Sequence, residues 1–227
     1  MKKLLLCVLL AACTGDVDDQ WQLSHDRVIA VRASPPGIAS GEKSTIDALL
    51  GFEDQAPMAA QPDMAAVVSP PSLSGTLTHE ADGWTVTSPS EEQLAAARTE
   101  LGLDAGAPVP LQVQVTFAAT GLSVLKGIIL GEHADNPVLD PVTIDGMDAL
   151  AETELSVKSN VDIPVAVEFD ETYNINWLTS CGQMHDFDLA HAYLRVEDGD
   201  PHDGTFGIVV RDGAAGIAWK FWPITAQ

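Results

Sequence analysis

Hydrophobic residues recur with a period of two along most of the chain. Apolar side chains alternate with polar ones in residues 27–33, 43–50 and 111–117, as a strand with one buried face requires. The turn SPPG (residues 34–37) separates the first two segments. Because proline lacks the N–H that a central strand needs, we expect the first strand to end there.

The same alternation continues in the second half of the chain. It covers residues 163–169, 173–177, 192–196, 206–210 and 217–221. A further hairpin is predicted in residues 76–87, where Asp82 and Gly83 form a turn signal between LTHEA and WTVT. Short strands at this spacing predict an all-β chain that folds as a sandwich.

Two stretches depart from this pattern. Residues 90–102 predict a helix, because Ser90 and Gln93 form a capping box and Gly102 supplies the stop. Residues 53–72 are rich in proline and alanine without a sustained period, which predicts a long surface excursion or linker. Residues 53–110, which include both stretches, are therefore predicted to be an insertion.

Sequence stretches near both ends and in the middle of the chain carry a resemblance to a known family. RVIAVRASPPGIASGEKSTIDALL (residues 27–50) resembles the first two strands of the immunoglobulin-like domains of surface lipoproteins from Gram-negative bacteria. GIVVRDGAAGIAW (residues 207–219) is similar to the closing hairpin of those domains and of polycystic-kidney-disease-type domains, and NPVLDPVTIDG (residues 136–146) adds to the likeness. The resemblance implies immunoglobulin-like sandwiches in a lipid-anchored, non-enzymatic extracytoplasmic protein.

The strand count suggests how the chain divides. We expect one sandwich in residues 27–147, carrying the insertion at 53–110, and a second in residues 148–227. One larger sandwich accommodates the number of strands almost as well.

The first residues, MKKLLLCVLLAAC, have the layout of a secretory signal, with two lysines before a short apolar run and small residues. The run is shorter than the roughly 20 residues that span a bilayer. LAAC, ending at Cys13, resembles the lipobox of bacterial lipoproteins. That resemblance implies a signal peptide of residues 1–12, an acylated Cys13 and, since Thr14 is not aspartate, the outer membrane. The residues after Cys13 are polar and acidic, which predicts a tether of residues 13–26. The alternative is an ordinary signal peptide with a chance cysteine.

Charge excludes one class of partner. Loss of residues 1–12 leaves nine Lys and Arg against 33 Asp and Glu, a formal charge of −24 instead of −22. Such a surface repels nucleic acid and attracts cations or basic partners. Cys7 leaves with the leader and Cys13 is blocked by lipid, so Cys181 has no partner within the chain and the fold needs a substantial hydrophobic core.

The densest polar region, residues 184–204, offers candidate chemistry. Asp198, Asp200 and Asp203 provide hard oxygen ligands around a turn, as a calcium loop does, although the EF-hand spacing is absent. The alternative is an acidic, solvated turn. The predicted cofactor is therefore none, with calcium as the alternative.

Two further alternatives involve histidine. His185 and His191, with nearby aspartates, could ligate a transition metal if a loop brought them together. A histidine close to Cys181 or to a serine would permit an envelope hydrolase, although a single cysteine is more often a small core residue.

Aromatic residues near the C-terminus suggest a contact surface. Trp222 is out of phase with Trp219 and is predicted to be exposed, as a contact for a carbohydrate or protein partner. The sequence thus favours a non-catalytic structural or binding module of the cell envelope. Its expected partners are the membrane, through Cys13, and an unknown envelope protein or glycan.

Overall fold

The computed structural model describes residues 19–23, 25–53, 55–139, 141–150, 153–169 and 171–227. The predictions for the leader and for acylation of Cys13 lie outside these residues. No helix of the described part is long and apolar enough to cross a membrane.

The first half of the chain forms a sandwich of two sheets. Its elements are β1 (Arg27–Ser34), β2 (Gly37–Ile38), β3 (Lys43–Phe52), β4 (Gln55–Ala60), β5 (Met64–Ser69), β6 (Leu77–Glu80), β7 (Gly83–Thr87), α1 (Glu91–Leu101), β8 (Val109–Phe117) and β9 (Leu122–Leu130). One sheet has the order β1-β3-β7-β6, with β4 also paired to β3, and the other has the order β2-β9-β8-β5. Their facing side chains enclose one core, in which Ile46, Val113 and Ile128 are fully buried.

The second half forms another sandwich. Its strands are β10 (Val142–Ile144), β11 (Met147–Asp148), β12 (Leu155–Val157), β13 (Asp162–Val167), β14 (Asn174–Thr179), β15 (Gln183–His185), β16 (His191–Arg195), β17 (Asp203–Arg211) and β18 (Ile217–Ala226). The sheets have the orders β11-β10-β13-β16-β15 and β12-β18-β17-β14. Trp177, Phe206 and Trp222 lie at the centre of its core.

The two sandwiches share one topology. In the first sandwich, strands A, B, E and D are β1, β3, β7 and β6, and strands G, F and C are β9, β8 and β5. In the second, A, B, E and D are β10, β13, β16 and β15, and G, F and C are β18, β17 and β14. That is the ABED and GFC arrangement of immunoglobulin-type domains. In each, a short strand after the first also pairs in parallel with the last, as β2 does with β9 and β12 with β18. The predicted all-β fold with immunoglobulin-like sandwiches and a helix is confirmed.

The helix forms as its sequence predicts. The Ser90 side chain accepts the N–H of Gln93 while the Gln93 side chain accepts the N–H of Ser90, and Gly102 ends the helix with φ of 69°. Leu94 and Ala97 are buried against the first core. The helix connects β7 to β8, the E and F strands of the first sandwich.

Residues 53–110 are not an insertion. They contain β4 to β7 and the start of β8, and so supply the C, D and E strands of the first sandwich. β4 and β5 are edge strands whose side chains are largely exposed. An edge strand needs no regular apolar alternation, which explains why the proline- and alanine-rich stretch resembles a linker.

The boundary between the sandwiches also differs from the prediction at residues 147 and 148. β10 already pairs with β13, the B strand of the second sandwich. Leu139 and Val142 belong to the second core. The connection therefore lies before residue 139 and after β9, so the predicted boundary removes the first strand of the second sandwich.

The two sandwiches pack against each other through a third apolar cluster. Leu23, Ile29, Ala30, Leu49, Leu178 and Val209 are buried there. Ile29 and Ala30 lie at a bulge in β1, where the register with β3 shifts. The bulge directs adjacent apolar residues to this interface while Val31 and Ala33 face the first core.

Candidate functional site

The acidic loop between β16 and β17 is organised by hydrogen bonds of its own carboxylates. Asp198 accepts from Asn160 Nδ2 at 2.8 Å, and Asp200 accepts the N–H of Glu197 at 2.9 Å. Asp203 accepts the hydroxyl of Thr225 at 2.9 Å. Each of the three predicted calcium ligands thus has a different partner within the protein.

These contacts direct the carboxylates apart. Asp200 and Asp203 line one cavity, whereas Asp198 is not among its lining residues. Across residues 19–227, apart from the few positions left undescribed, no three His, Cys, Asp or Glu side chains are grouped to hold a metal ion. The predicted triad of Asp198, Asp200 and Asp203 is therefore not assembled. Asp200 is bound within its own loop, whereas Asp198 is bound to Asn160 and Asp203 to Thr225 of β18.

The cavity beside this loop has a volume of about 640 Å³ and lies where four parts of the chain meet. Its walls are residues 19–23, the turn after β14, the start of β17, and Gln55 with Ala56 of the first sandwich. Asp19, Asp200 and Asp203 give it acidic walls. Clefts lined by one sign of charge concentrate counter-ions, so this region favours cationic groups.

The segment before β1 is bound to the second sandwich. Gln22 forms a parallel bridge with Thr179, the Leu23 N–H donates to the Thr179 carbonyl at 2.9 Å, and the Thr179 N–H donates to the Trp21 carbonyl at 2.9 Å. Leu23 is 1% exposed and fills the contact between the sandwiches. The expectation of a free tether up to residue 26 is therefore wrong for residues 21–23.

A glycine allows the cavity wall to close. A Cβ on Gly204 would lie 2.6 Å from Ser180 Oγ and 3.0 Å from Cys181 Cβ. The Ser180 hydroxyl meanwhile accepts the N–H of Thr205 at 2.9 Å. The start of β17 can thus approach the turn after β14 only because residue 204 has no side chain.

Cys181 lies behind this wall, and its thiol has the properties of an unreactive cysteine. It is fully buried, and burial, followed by the charges of Asp200 and Asp203, raises the pKa of its thiol to about 11. A reactive cysteine has the opposite shift. His185 on β15 and His191 on β16 are exposed, whereas Cys181 is buried in the turn between β14 and β15, so these residues do not form the pair that the hydrolase alternative requires.

The prediction that Trp222 is exposed is wrong. Trp222 is completely buried, stacks with Phe206 at a centroid distance of 6.2 Å, and donates its indole N–H to the Leu150 carbonyl at 2.6 Å. Trp219 instead faces the other sandwich, where the Arg32 guanidinium lies 4.0 Å from its ring centroid. Both faces of β18 are apolar, because one packs in its own core and the other packs against the first sandwich. The alternation alone therefore does not show which of the two tryptophans faces the core.

A different aromatic residue is exposed. Tyr193, on the outer face of β16, is 45% exposed and lies opposite Pro164 of β13 and His185 of β15. One row further, Arg195 lies between Asp162 and Gln183. Arg195 donates to Asp162 at 3.0 Å and to Glu197 at 3.1 Å, and these hydrogen bonds, led by that to Asp162, raise its pKa.

This outer patch consists of Asp162, Pro164, Gln183, His185, Tyr193, Arg195 and Glu197. All of these residues except Pro164 line a depression of about 490 Å³. Sequence reasoning missed it, although the alternation of Ala192, Leu194 and Val196 already implies that Tyr193 and Arg195 face outward. Apart from Glu197, its other members come from β13 and β15, which are adjacent to β16 only in the folded sheet.

Comparison with known proteins adds little about function. No protein-family model and no curated protein matches the sequence. Among solved structures, murine CEACAM1b is 11% identical over 87% of this chain and 100% of its own, with a TM-score of 0.30. The tandem Ig repeats of Dlar are 12% identical over 89% and 98%, with a TM-score of 0.30.

A third solved structure is similar over a smaller share of its own length. SGBP-B of a Bacteroides ovatus mixed-linkage glucan utilization locus is 8% identical over 83% of this chain and 53% of its own, with a TM-score of 0.21. Likenesses this distant carry no conclusion about activity, so function has to be argued from the chain itself.

Proposed function

We propose that this protein is a non-catalytic structural or binding module of the cell envelope, anchored by lipid on Cys13. The observation that carries the proposal is the leader MKKLLLCVLLAAC, in which small residues directly precede a cysteine. Two acyl chains on that cysteine hold a protein stably, because each buried CH2 contributes about 0.8 kcal/mol.

The docked N-terminal segment supports a short anchor. Five residues lie between Cys13 and Asp19, so a fully extended chain places the two residues at most about 22 Å apart. Gln22 and Leu23 are held on Thr179 of the second sandwich. An acylated Cys13 would therefore keep that sandwich close to the lipid surface.

The state of Cys181 supports a non-catalytic role. Its raised pKa keeps the thiol protonated at neutral pH, and the thiolate is the nucleophile in cysteine chemistry. The side chain packs in the second core with Trp177 and Phe206. Cys181 is thus suited to fill space between sheets.

The deciding experiment is the intact mass of the membrane-extracted protein, with Cys13→Ser as the variant and Cys7→Ser as the matched control. We expect the wild type and Cys7→Ser to start at residue 13 with added acyl mass, and Cys13→Ser to lack that mass. Density separation of the membranes then tests the outer-membrane location. A wild-type protein without acyl mass contradicts the anchor.

A further inference from the structure

The outer patch around Tyr193 is rigidly built. Its side chains, apart from that of Glu197, alternate along β13, β15 and β16 with Ile163, Met184 and Leu194, which are buried in the second core. A side chain on one face of a strand cannot turn to the other, so the patch points outward by construction. Sites built on strands hold their geometry better than sites on loops.

The patch combines one apolar surface with many hydrogen-bonding groups. The ring of Tyr193 lies in the row of Pro164 and His185, and the next row holds Asp162, Arg195 and Gln183. Asp162 and Glu197 accept only, arginine donates only, and glutamine does both. Two of the five N–H groups of arginine are used by Asp162 and Glu197.

Its size fits a small ligand better than a protein. Three neighbouring strands span about 10 Å, and two rows of side chains on one face are about 7 Å apart. A stable protein interface covers about 800 Å² on each partner. The depression of about 490 Å³ is instead within the range of small-molecule sites.

The charges of the patch and of the whole chain narrow the chemical class of the ligand. Asp162 and Glu197 flank the single cation Arg195, on a chain with a formal charge of −22. An anionic ligand would be repelled by the chain, and a cationic one would compete with Arg195 for both carboxylates. A neutral molecule with hydroxyl groups meets neither obstacle.

We propose that this patch binds a neutral oligosaccharide, with one sugar ring stacked on Tyr193. The electron-rich ring face attracts the polarised C–H groups of a sugar, while its hydroxyls bond to Gln183, Arg195 and the two carboxylates. The inference rests on the proposed binding role and gives it a ligand class. It places the site on the outer face of the ABED sheet of the second sandwich, next to the acidic cavity, with Gln183 lining both.

The test is affinity electrophoresis of the mature chain in a detergent without a sugar headgroup. The gels contain a β-glucan, an α-glucan, a mannan, a xylan or a galactan, with polygalacturonate as the anionic polysaccharide. We expect at least one neutral polymer to retard the wild type, and Tyr193→Ala to weaken that binding by about tenfold or more, as loss of an aromatic anchor does.

Two variants make the result specific. Tyr193→Phe keeps the ring and should retain most of the retardation, whereas Leu189→Ala removes an exposed apolar side chain outside the patch and should change nothing. The inference is overturned if no neutral polymer retards the wild type, if only polygalacturonate does, or if Tyr193→Ala binds normally while its melting temperature is unchanged.

The outcome is separable from that of the lipid anchor. If the protein is retarded but carries no acyl mass, the saccharide site is supported and the lipid anchor is contradicted. If the protein is acylated but no neutral polymer retards it, the lipid anchor is supported and the saccharide site is contradicted.

Discussion

The Nζ atom of Lys126, in the first sandwich, donates a hydrogen bond to the carbonyl of Ala215, in the second, at 2.5 Å. Lys126 is 4% exposed. Burial is the main cause that lowers its pKa from 10.5 to about 8, opposed by the charges of Asp212 and Asp47 and reinforced by that of Arg211. A charged group is thus buried at the contact between the sandwiches. The free energy that its burial costs the folded state depends on pH.

Lys126→Met should remove a pH dependence of stability. Because the folded pKa lies below the unfolded one, the unfolded chain binds more protons between these values and wild-type stability rises with pH there. From about pH 7 to pH 10, the free energy of unfolding of the wild type should increase by about 2 kcal/mol relative to Lys126→Met. Urea titrations of both proteins at the two pH values measure this, and an unchanged difference contradicts the lowered pKa.

Gly207→Ala should destabilise the second sandwich. A Cβ at this position would lie 2.2 Å from the ring of Phe221, its register partner on β18. Overpacking of this kind costs about 1–3 kcal/mol. Gly199→Ala is the matched control, because no atom lies within 4 Å of its added Cβ. Equal unfolding free energies for the two variants would show that β18 shifts without cost.

The alternation of apolar residues predicts most of the sandwich strands but not their edges. Ile46, Ala48 and Leu50 share one face of β3, and all three lie in the first core as the pattern indicates. β4 and β5 have no such signal, because edge strands with exposed side chains need none. The hairpin of β6 and β7 forms where it is predicted, but Glu80 pairs with Gly83, so the turn is Ala81–Asp82 and not Asp82–Gly83.

The parts that sequence could not predict depend on contacts between distant segments. Leu49 is apolar because it faces the second sandwich, which the alternation within β3 does not reveal. Trp219 is covered in the same way. The patch around Tyr193 is assembled only when β15 and β16 pair, and no spacing along the chain marks it.

Trp222→Ala and Trp219→Ala should differ strongly in cost. Trp222 is fully buried between sheets, and removal of a large aromatic core side chain costs about 3–5 kcal/mol. Trp219 is partly exposed and stacks with Arg32, a contact that contributes about 1 kcal/mol. Urea denaturation of both variants compares them. A cost for Trp219→Ala that matches that of Trp222→Ala would mean that the contact between the sandwiches is as important as the core.

Calcium should leave the melting temperature unchanged. Any ion that binds only the folded state raises it, but Asp198, Asp200 and Asp203 are each engaged with a different group of the protein. Thermal melts with and without millimolar calcium, with magnesium as the control ion, measure the effect. A rise that calcium alone produces, and that Asp200→Asn abolishes, would instead place a calcium site at the acidic cavity.

Cys181 should be unreactive in the folded protein. At about pH 8 a thiol with a pKa near 11 is ionised in roughly one molecule in a thousand, and the side chain is fully buried. A thiol-reactive dye should therefore label the native protein very slowly and label one thiol per chain after denaturation. Leu189→Cys, at an exposed position, should add one thiol that reacts at once and so validates the assay.

The number of thiols labelled in the denatured chain also tests whether Cys13 is acylated. Two reactive thiols in the denatured mature chain would mean that Cys13 carries no lipid, because a thioether does not react with the dye. Rapid labelling of a native protein that has only one reactive thiol after denaturation would mean that Cys181 is accessible, and a reactive cysteine beside the acidic cavity would return the hydrolase alternative to consideration. One slow thiol is the result that fits both a space-filling Cys181 and an acylated Cys13.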